Sequence, residues 1–204
     1  SSTGMYGKQI GIYAKHPRIF LRGEDWEGGL SLSQLRRRCQ YPSAWFEDWE
    51  KVKNAKKVER IIPTTAMRYL VTQDSNEDQK VMSLMEEAIE EAFKGKIWEK
   101  SELLQDLAIG YDWIYNYPGF SEDKKREFSK KMSQLARRMI SYVAVDHHIF
   151  SRYMELVSPV GMIGLAIWGD CKDAKMFIDF TIRHLKVISE VMKYLGGTWP
   201  EGLG

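Results

Sequence analysis

The feature that most constrains this chain is a succession of amphipathic segments with the period of an α-helix and almost no strand pattern. The clearest covers residues 76–94, where apolar side chains recur at intervals of three and four and glutamates fall mostly on the opposite side. Similar stripes run through residues 101–117, 121–145 and 172–195. Helices of this kind must bury their stripes against one another, which predicts an all-α fold.

Several helix starts are indicated by capping residues. Ser75 with Asp78 predicts a capping box, and Ser101 predicts the cap of the following helix. Ser158 followed by Pro159 predicts a cap and a first-turn proline for an apolar helix that reaches residue 168. On the last helix we expect Ile178, Ile182, Leu185, Ile188 and Met192 to face the core.

The rest of the chain completes a series of helical hairpins. Residues 1–28 are rich in glycine and predict an irregular lead-in, and residues 30–40, 43–53 and 58–72 predict further helices. Short loops make successive helices antiparallel neighbours. Because no fixed repeat is visible, we expect residues 29–204 to form part of a closed or partly closed helical toroid rather than a regular repeat array.

Composition narrows the classes of function. The chain has 204 residues, 44% hydrophobic and 28% charged, as in an ordinary globular domain. Thirty basic and 28 acidic residues are interleaved and leave a net charge of +2, so nothing favours nucleic acid as a partner. The most apolar run, residues 157–168, is too short for a membrane span. The two cysteines form no motif, and we expect thiols rather than a disulfide.

Three segments carry a resemblance to a known family. They are residues 16–21 (HPRIFL), residues 108–115 (AIGYDWIY) with 120–123 (FSED), and residues 196–202 (GGTWPEG). The second is similar to a family signature "ALAYDWLYD…LSEEE", and the third to a "GG…EG" loop. In this order they resemble heparinase II/III-type polysaccharide lyases.

The resemblance implies a fold and an activity. Such lyases have an N-terminal incomplete (α/α) toroid followed by antiparallel β-sandwich modules, so this chain would be part of the toroid and the sheets would lie beyond Gly204. The enzyme would be periplasmic or secreted and would cleave an acidic, uronate-containing polysaccharide by β-elimination. Its catalytic His and Tyr usually follow the "GG…EG" loop, so we expect them beyond Gly204 and expect this chain alone to be inactive.

The lyase reaction needs a group that neutralises the uronate carboxylate, a base and an acid. Residues 146–155 join two helices, and the resemblance makes them candidates for substrate contact. There His147 or His148 would hold the carboxylate, Arg152 would bind carboxylate or sulfate, and Glu155 would bind hydroxyls. In the terminal loop Trp199 would stack on a sugar and Glu201 would orient hydroxyls.

Other interpretations of these residues stay open. The histidine pair would also suit a helix cap or the surface, and Arg152 and Glu155 would pair with each other on a helix. The family often has an Asn-His combination here, whereas this chain has two histidines and no asparagine. Two other functions compete: a non-catalytic helical scaffold that binds protein or glycan, and a toroid glycoside hydrolase with Glu155 and Glu201 as its carboxylates.

The remaining polar residues of interest predict structural roles. Tyr111 lies on an apolar stripe and is expected in the core, and Asp112 is expected to bond a backbone group or an arginine. Adjacent His147 and His148 would point about 100° apart on a helix, and His16 and His184 are isolated in sequence. No metal site, phosphate loop or cofactor motif is visible, so none is expected in this segment.

Overall fold

The computed structural model describes residues 11–145 and 151–194, and these are mostly helical, as predicted. A two-residue parallel pair, β1 (Leu21–Arg22) and β2 (Leu30–Ser31), precedes the helices. The α-helices of the described residues are α1 (Leu32–Arg38), α2 (Phe46–Asn54), α3 (Ile61–Thr72), α4 (Ser75–Phe93), α5 (Ser101–Ile114), α6 (Glu122–Val145), α7 (Ser151–Ala166) and α8 (Ala174–Tyr194). A short 3-10 helix, Ile97–Lys100, runs directly into α5.

The six helices from α3 to α8 form two layers. In one layer α3 packs beside α5, and α5 packs beside α7. In the other, α4 packs on α3 and α5, while α6 and α8 each pack on α7. The pairs α3–α4, α5–α6 and α7–α8 are therefore three helical hairpins set side by side, as the short connections predicted.

Two apolar clusters hold the described residues together. The larger lies between the two layers, and its fully buried members include Tyr111, Phe128 and Met132. A smaller cluster joins the lead-in to α1, α2 and α3, and contains Leu21, Leu35, Cys39, Trp49 and Leu70.

Close helix contacts depend on small residues. A Cβ atom built on Gly110 of α5 would lie 2.6 Å from Ile62 Cγ2 and 3.0 Å from Met85 Sδ. On α7, a Cβ at Gly161 would lie 2.7 Å from Thr181 Cγ2. A side chain at either glycine would push the layers apart or force its neighbours to move.

Two predicted caps are wrong. The N-cap of α4 is Asp74, whose carboxylate accepts from the Asn76 amide at 2.9 Å, so Ser75 lies inside the helix. Asp78 is fully buried instead of reaching back to a cap, and this burial raises the pKa of its carboxyl. Ser101 caps nothing, because the 3-10 helix already supplies the turn before α5.

The predicted start of the apolar helix at Ser158 is also wrong. The helix α7 begins at Ser151 and contains Pro159 in its interior. Proline has no N–H to bond the carbonyl four residues earlier, which is that of Glu155. The Ser101 hydroxyl donates to this carbonyl, so a contact from α5 satisfies the acceptor that the proline leaves free.

The apolar stripe of α8 is only partly buried. Ile178 is 8% exposed, as predicted, but Leu185 is 41% exposed. Ile182, Ile188 and Met192 are half-buried rather than in the core. The reason is that α7 covers one side of α8, and no other described helix packs closely on it. Across residues 11–145 and 151–194, no helix combines the length and apolar character that crossing a membrane requires.

Candidate functional site

The Asp112 carboxylate joins two of the segments that carry the family resemblance. Asp112 lies on α5 and is fully buried. Its Oδ2 accepts from the backbone amides of Arg18 at 2.9 Å and Ile19 at 2.8 Å, and its Oδ1 lies 2.6 Å from His16 Nδ1. The Trp113 indole donates to the Ile19 carbonyl at 3.0 Å. The prediction that Asp112 bonds a backbone group is confirmed.

Besides Asp112, His16 contacts Tyr115 and Asn116. Its ring stacks on Tyr115, with centroids 3.7 Å apart, and its carbonyl accepts from the Asn116 amide at 2.8 Å. Burial lowers its pKa, and this outweighs the hydrogen bond and charge of Asp112, which raise the pKa. The neutral ring therefore donates through Nδ1, and its buried Nε2 has no partner among the described residues.

Two tyrosines share one carboxylate beside this pair. The hydroxyls of Tyr111 and Tyr115 donate to the two oxygens of Asp170, each at 2.8 Å. Burial, together with Asp170, raises the pKa of both phenols well above the ordinary value. Both hydroxyls thus remain protonated donors at neutral pH. Tyr111 is fully buried, which confirms its predicted place in the core.

Arg18 ties the lead-in to the end of α7. Its Nη1 donates to the Trp168 carbonyl at 3.1 Å and its Nη2 to the Ala14 carbonyl at 2.9 Å. Burial lowers the pKa of the guanidinium, while nearby Asp112 and Asp170 favour its charged form. The lead-in therefore contacts both α5 and the turn after α7.

Asp170, which accepts from both tyrosines, lies at the protein surface. This half-exposed residue lines a pocket of about 480 Å³ between α6 and the turn before α8, called the Asp170 pocket below. Four cations, Arg126, Lys130, Arg137 and Lys172, and a second carboxylate, Asp173, also line it. Asp173 already pairs with Arg137 at 2.7 Å, so the rim keeps an excess of positive charge.

The chemistry of this arrangement divides into a buried and an accessible part. An imidazole, two phenols and two carboxylates are the groups that proteins use to move protons. Here His16, Asp112 and Tyr111 are buried, and the bonds that Asp112 accepts hold the lead-in against α5. A ligand would meet Asp170 and the cationic rim of the Asp170 pocket.

The predicted substrate-contact residues fall mostly outside the described part of the chain. His147, His148, Trp199 and Glu201 lie outside the described residues. Arg152 and Glu155 occupy the first two turns of α7, and both side chains are exposed. Three residues apart on one helix, they lie on the same side of α7.

Sequence reasoning missed the partners of Asp112. It treated His16 as isolated, although the two residues, 96 positions apart, are in direct contact. It also assigned no site role to Tyr115 or Asp170. The available signal was Asp112 itself, because a carboxylate flanked by aromatics on a buried helix needs donors from elsewhere.

No protein-family model matches the chain, and no match was found among curated proteins or solved structures.

Thiols and metal-ligand groups add little to this site. Cys39 and Cys171 are free thiols, and burial raises the pKa of Cys39. Within residues 11–145 and 151–194, no group of three or more His, Cys, Asp or Glu residues is arranged to hold a metal ion.

Proposed function

We propose that this chain is the helical, N-terminal part of a polysaccharide lyase that cleaves uronate-containing glycans by β-elimination. The observation that carries the proposal is the hydrogen-bonded contact between residues 16–19 and Asp112. Two segments that resemble one family, though far apart in sequence, lie together and perform one structural task. Such an enzyme would act in the periplasm or outside the cell.

We also infer that the helical hairpins continue into an incomplete (α/α) toroid. The support is the two-layer order, with α3, α5 and α7 in one layer and α4, α6 and α8 in the other. A curved array of this kind would present the connections between helices to a central cleft. Arg152 and Glu155, near the start of α7, would then lie close to bound substrate.

The β-elimination reaction requires a base, an acid and a cation. A base removes the proton at C5, the electron pair forms the C4–C5 double bond, and the C4–O bond breaks as an acid protonates the leaving oxygen. Charge that develops on the uronate carboxylate must be stabilised by a cation. Arg152, with His147 or His148, would supply that charge, and Glu155, Trp199 and Glu201 would hold the sugars.

The ultraviolet absorbance of the unsaturated uronate product tests the activity. Heparan sulfate, chondroitin sulfate, hyaluronan and alginate should each be incubated with this chain and with a longer natural form of the protein. We expect absorbance to rise with the longer form alone, because the catalytic His and Tyr are expected beyond Gly204. No rise with either form on any of the four glycans would reject the lyase proposal.

Two alanine variants, one at Arg152 and one at a control arginine, test the role proposed for Arg152. In the active form, Arg152→Ala should lower kcat/KM by about tenfold or more, as expected when a charge-stabilising contact is lost. Arg183→Ala, at an exposed arginine on α8, is the matched control and should retain activity. Equal losses in the two variants would remove Arg152 from the site.

One observation favours the non-catalytic scaffold as a second candidate. A groove of about 450 Å³ between α7 and α8 is lined almost wholly by apolar side chains, among them Met162, Leu165, Ile182 and Leu185. Exposed apolar surface of this kind is typical of protein–protein contacts. No rise in absorbance with either form of the protein would favour this alternative.

A further inference from the structure

A second surface pocket, between α3 and α4, has the lining of an anion-binding site. It has a volume of about 750 Å³ and is called the α3–α4 pocket below. Its charged lining residues are Lys56, Arg68 and Lys80, and no Asp or Glu side chain lines it. None of the residues in the lyase proposal belongs to it.

The positive charge of the α3–α4 pocket is only partly neutralised. Lys80 pairs with Glu77 at 2.9 Å, one turn along α4. No carboxylate among the described residues pairs with Lys56, which lies exposed in the loop between α2 and α3. Together with Arg68, these groups leave two positive charges without a carboxylate partner in the described residues.

Arg68 is fixed in place by the end of α2. Its Nε and Nη2 donate to the Val52 carbonyl, and Nη2 also donates to the Ala55 carbonyl at 2.8 Å. The Val52 carbonyl also accepts from the Ala55 amide at 3.3 Å, so the bonds from Arg68 reinforce the end of α2 and hold the Arg68 side chain in one conformation. The guanidinium is therefore a pre-positioned cation at the pocket wall, and its Nη1 makes none of these bonds.

The neutral lining favours a ligand that carries hydroxyl groups. Thr65 and Ser83 donate their hydroxyl protons to carbonyls of their own helices, at 2.7 Å and 3.2 Å, and keep lone pairs free to accept. Asn76 and Gln79 add side-chain amides; their nitrogens donate to Asp74 at 3.0 Å and to the Tyr117 hydroxyl at 3.5 Å, and their oxygens supply further acceptors. A sugar ring, with several hydroxyls that also do both, matches this set.

The apolar part of the lining argues against a nucleotide base. It consists of Ala55, Ile61 and Leu84, without an aromatic ring. Recognition of bases usually adds stacking on aromatic side chains to the charge contacts. The lining suits the less polar face of a sugar better than a base.

We propose that the α3–α4 pocket binds a small sugar that carries an anionic group, with Lys56, Arg68 and Lys80 holding the anion and the amides and hydroxyls holding the ring. The anion is a carboxylate, a sulfate or a phosphate, which share the same contacts with cations. The site is independent of the lyase chemistry, since binding here requires no cleavage.

Calorimetric titration of the whole chain tests the proposal. The probes are a hexuronate, a hexose sulfate and a hexose phosphate, with the neutral hexose and inorganic phosphate as comparisons. We expect at least one acidic sugar to bind at least about tenfold more tightly than both comparisons, and the one that binds best identifies the anion. Equal affinity for inorganic phosphate and every acidic sugar, or no binding of any acidic sugar, would overturn the proposal.

Matched lysine variants locate the site. Lys56→Glu reverses an exposed, unpaired charge in the pocket and should weaken binding by about tenfold or more. Lys80→Gln should weaken it by a smaller factor, because Glu77 already offsets part of that charge. Lys57→Glu makes the same change at the next, exposed residue outside the lining and should leave affinity within about twofold.

Folding of the variants is checked by circular dichroism and thermal unfolding. If Lys57→Glu weakens binding as much as Lys56→Glu, the loss comes from the overall charge of the protein, and the α3–α4 pocket is not the binding site. The binding titrations test the α3–α4 pocket and the absorbance experiment tests the lyase proposal. Either proposal can therefore be rejected without affecting the other.

Discussion

Each oxygen of the buried Asp112 carboxylate has donors from the lead-in. The carboxylate is fully buried and accepts from the amides of Arg18 and Ile19, while His16 donates to it from the side. A buried charge is tolerated only where hydrogen bonds replace the water it has lost. This single residue therefore fixes where the irregular lead-in meets α5.

Replacing Asp112 by asparagine tests the strength of that anchor. Asp112→Asn would turn one acceptor oxygen into a donor that faces other donors, and we expect the free energy of unfolding to fall by about 2–4 kcal/mol. Urea unfolding followed by circular dichroism measures the change. Asp123→Asn, at an exposed ion pair with Arg126, should cost less than about 0.5 kcal/mol. Equal losses would show that Asp112 is no anchor.

The buried imidazole of His16 predicts a pH dependence of stability. Because burial lowers its pKa below the ordinary value of 6.5, the unfolded chain takes up a proton at a pH where the folded chain does not. Stability should therefore fall as the pH drops below the ordinary value, and level off below the folded pKa. Above the ordinary value His16 should add no slope.

Urea unfolding between about pH 8 and pH 5 measures this slope. His16→Gln should show a shallower fall than the natural chain. Burial also lowers the pKa of His184, so His184→Gln should remove a separate part of the same slope. A fall that is unchanged in His16→Gln would contradict the neutral, buried imidazole.

At the scale of elements, periodicity predicted the helices well and capping residues predicted their ends poorly. The segment 76–94 is observed as Ser75–Phe93, and 121–145 as Glu122–Val145. Ser31 and Gln34 form an unpredicted capping box at α1, whereas the predicted box at Ser75 is absent. Core burial repeats over a whole helix, but a cap depends on one side chain among several neighbours that would serve equally.

The interior proline of α7 makes a prediction about two helices. Pro159 leaves the Glu155 carbonyl without its helical donor, and the Ser101 hydroxyl takes that place. Ser101→Ala should therefore lower the free energy of unfolding by about 1–2 kcal/mol. In the Pro159→Ala background the loss should be smaller, because the new amide would bond Glu155 itself.

Denaturant unfolding of both single variants and the double variant measures this coupling. The control is Ser83→Ala, whose hydroxyl bonds a carbonyl within its own helix and is exposed. It should cost little, and its cost should not depend on Pro159. Additive losses for Ser101→Ala and Pro159→Ala would contradict the assigned role of Ser101.

In the whole molecule, two apolar clusters of unequal size share few residues. The smaller cluster around Leu35, Cys39 and Trp49 contacts the larger one mainly through Tyr69 and Trp113. Regions with few buried contacts open at lower cost than the core. We expect α1 and α2 to open before the hairpins do, whereas residues 16–19 stay bonded to Asp112.

Cysteine labelling measures that opening. Cys171 is half-exposed and should react quickly, whereas the buried Cys39, whose pKa is raised by burial, should react at least about tenfold more slowly. Leu35→Ala should speed Cys39 labelling strongly, with little change in the unfolding of the larger cluster. Leu135→Ala, in the larger cluster, should instead lower global stability by about 2–5 kcal/mol. Equal effects in both variants would indicate one cooperative unit.

The sequence alone determined the helical class, the hairpin order and the burial of Tyr111, because a 3.6-residue stripe of apolar side chains leaves no other way to exclude water. Only the tertiary structure decided which distant groups meet. The His16 ring bonds the Asp112 carboxylate, the Ser101 hydroxyl bonds the Glu155 carbonyl, and Leu185 is exposed. Each of these outcomes depends on how the helix layers pack and not on the local sequence pattern. Hydrogen bonds between residues far apart in sequence have no period, so only packing specifies them.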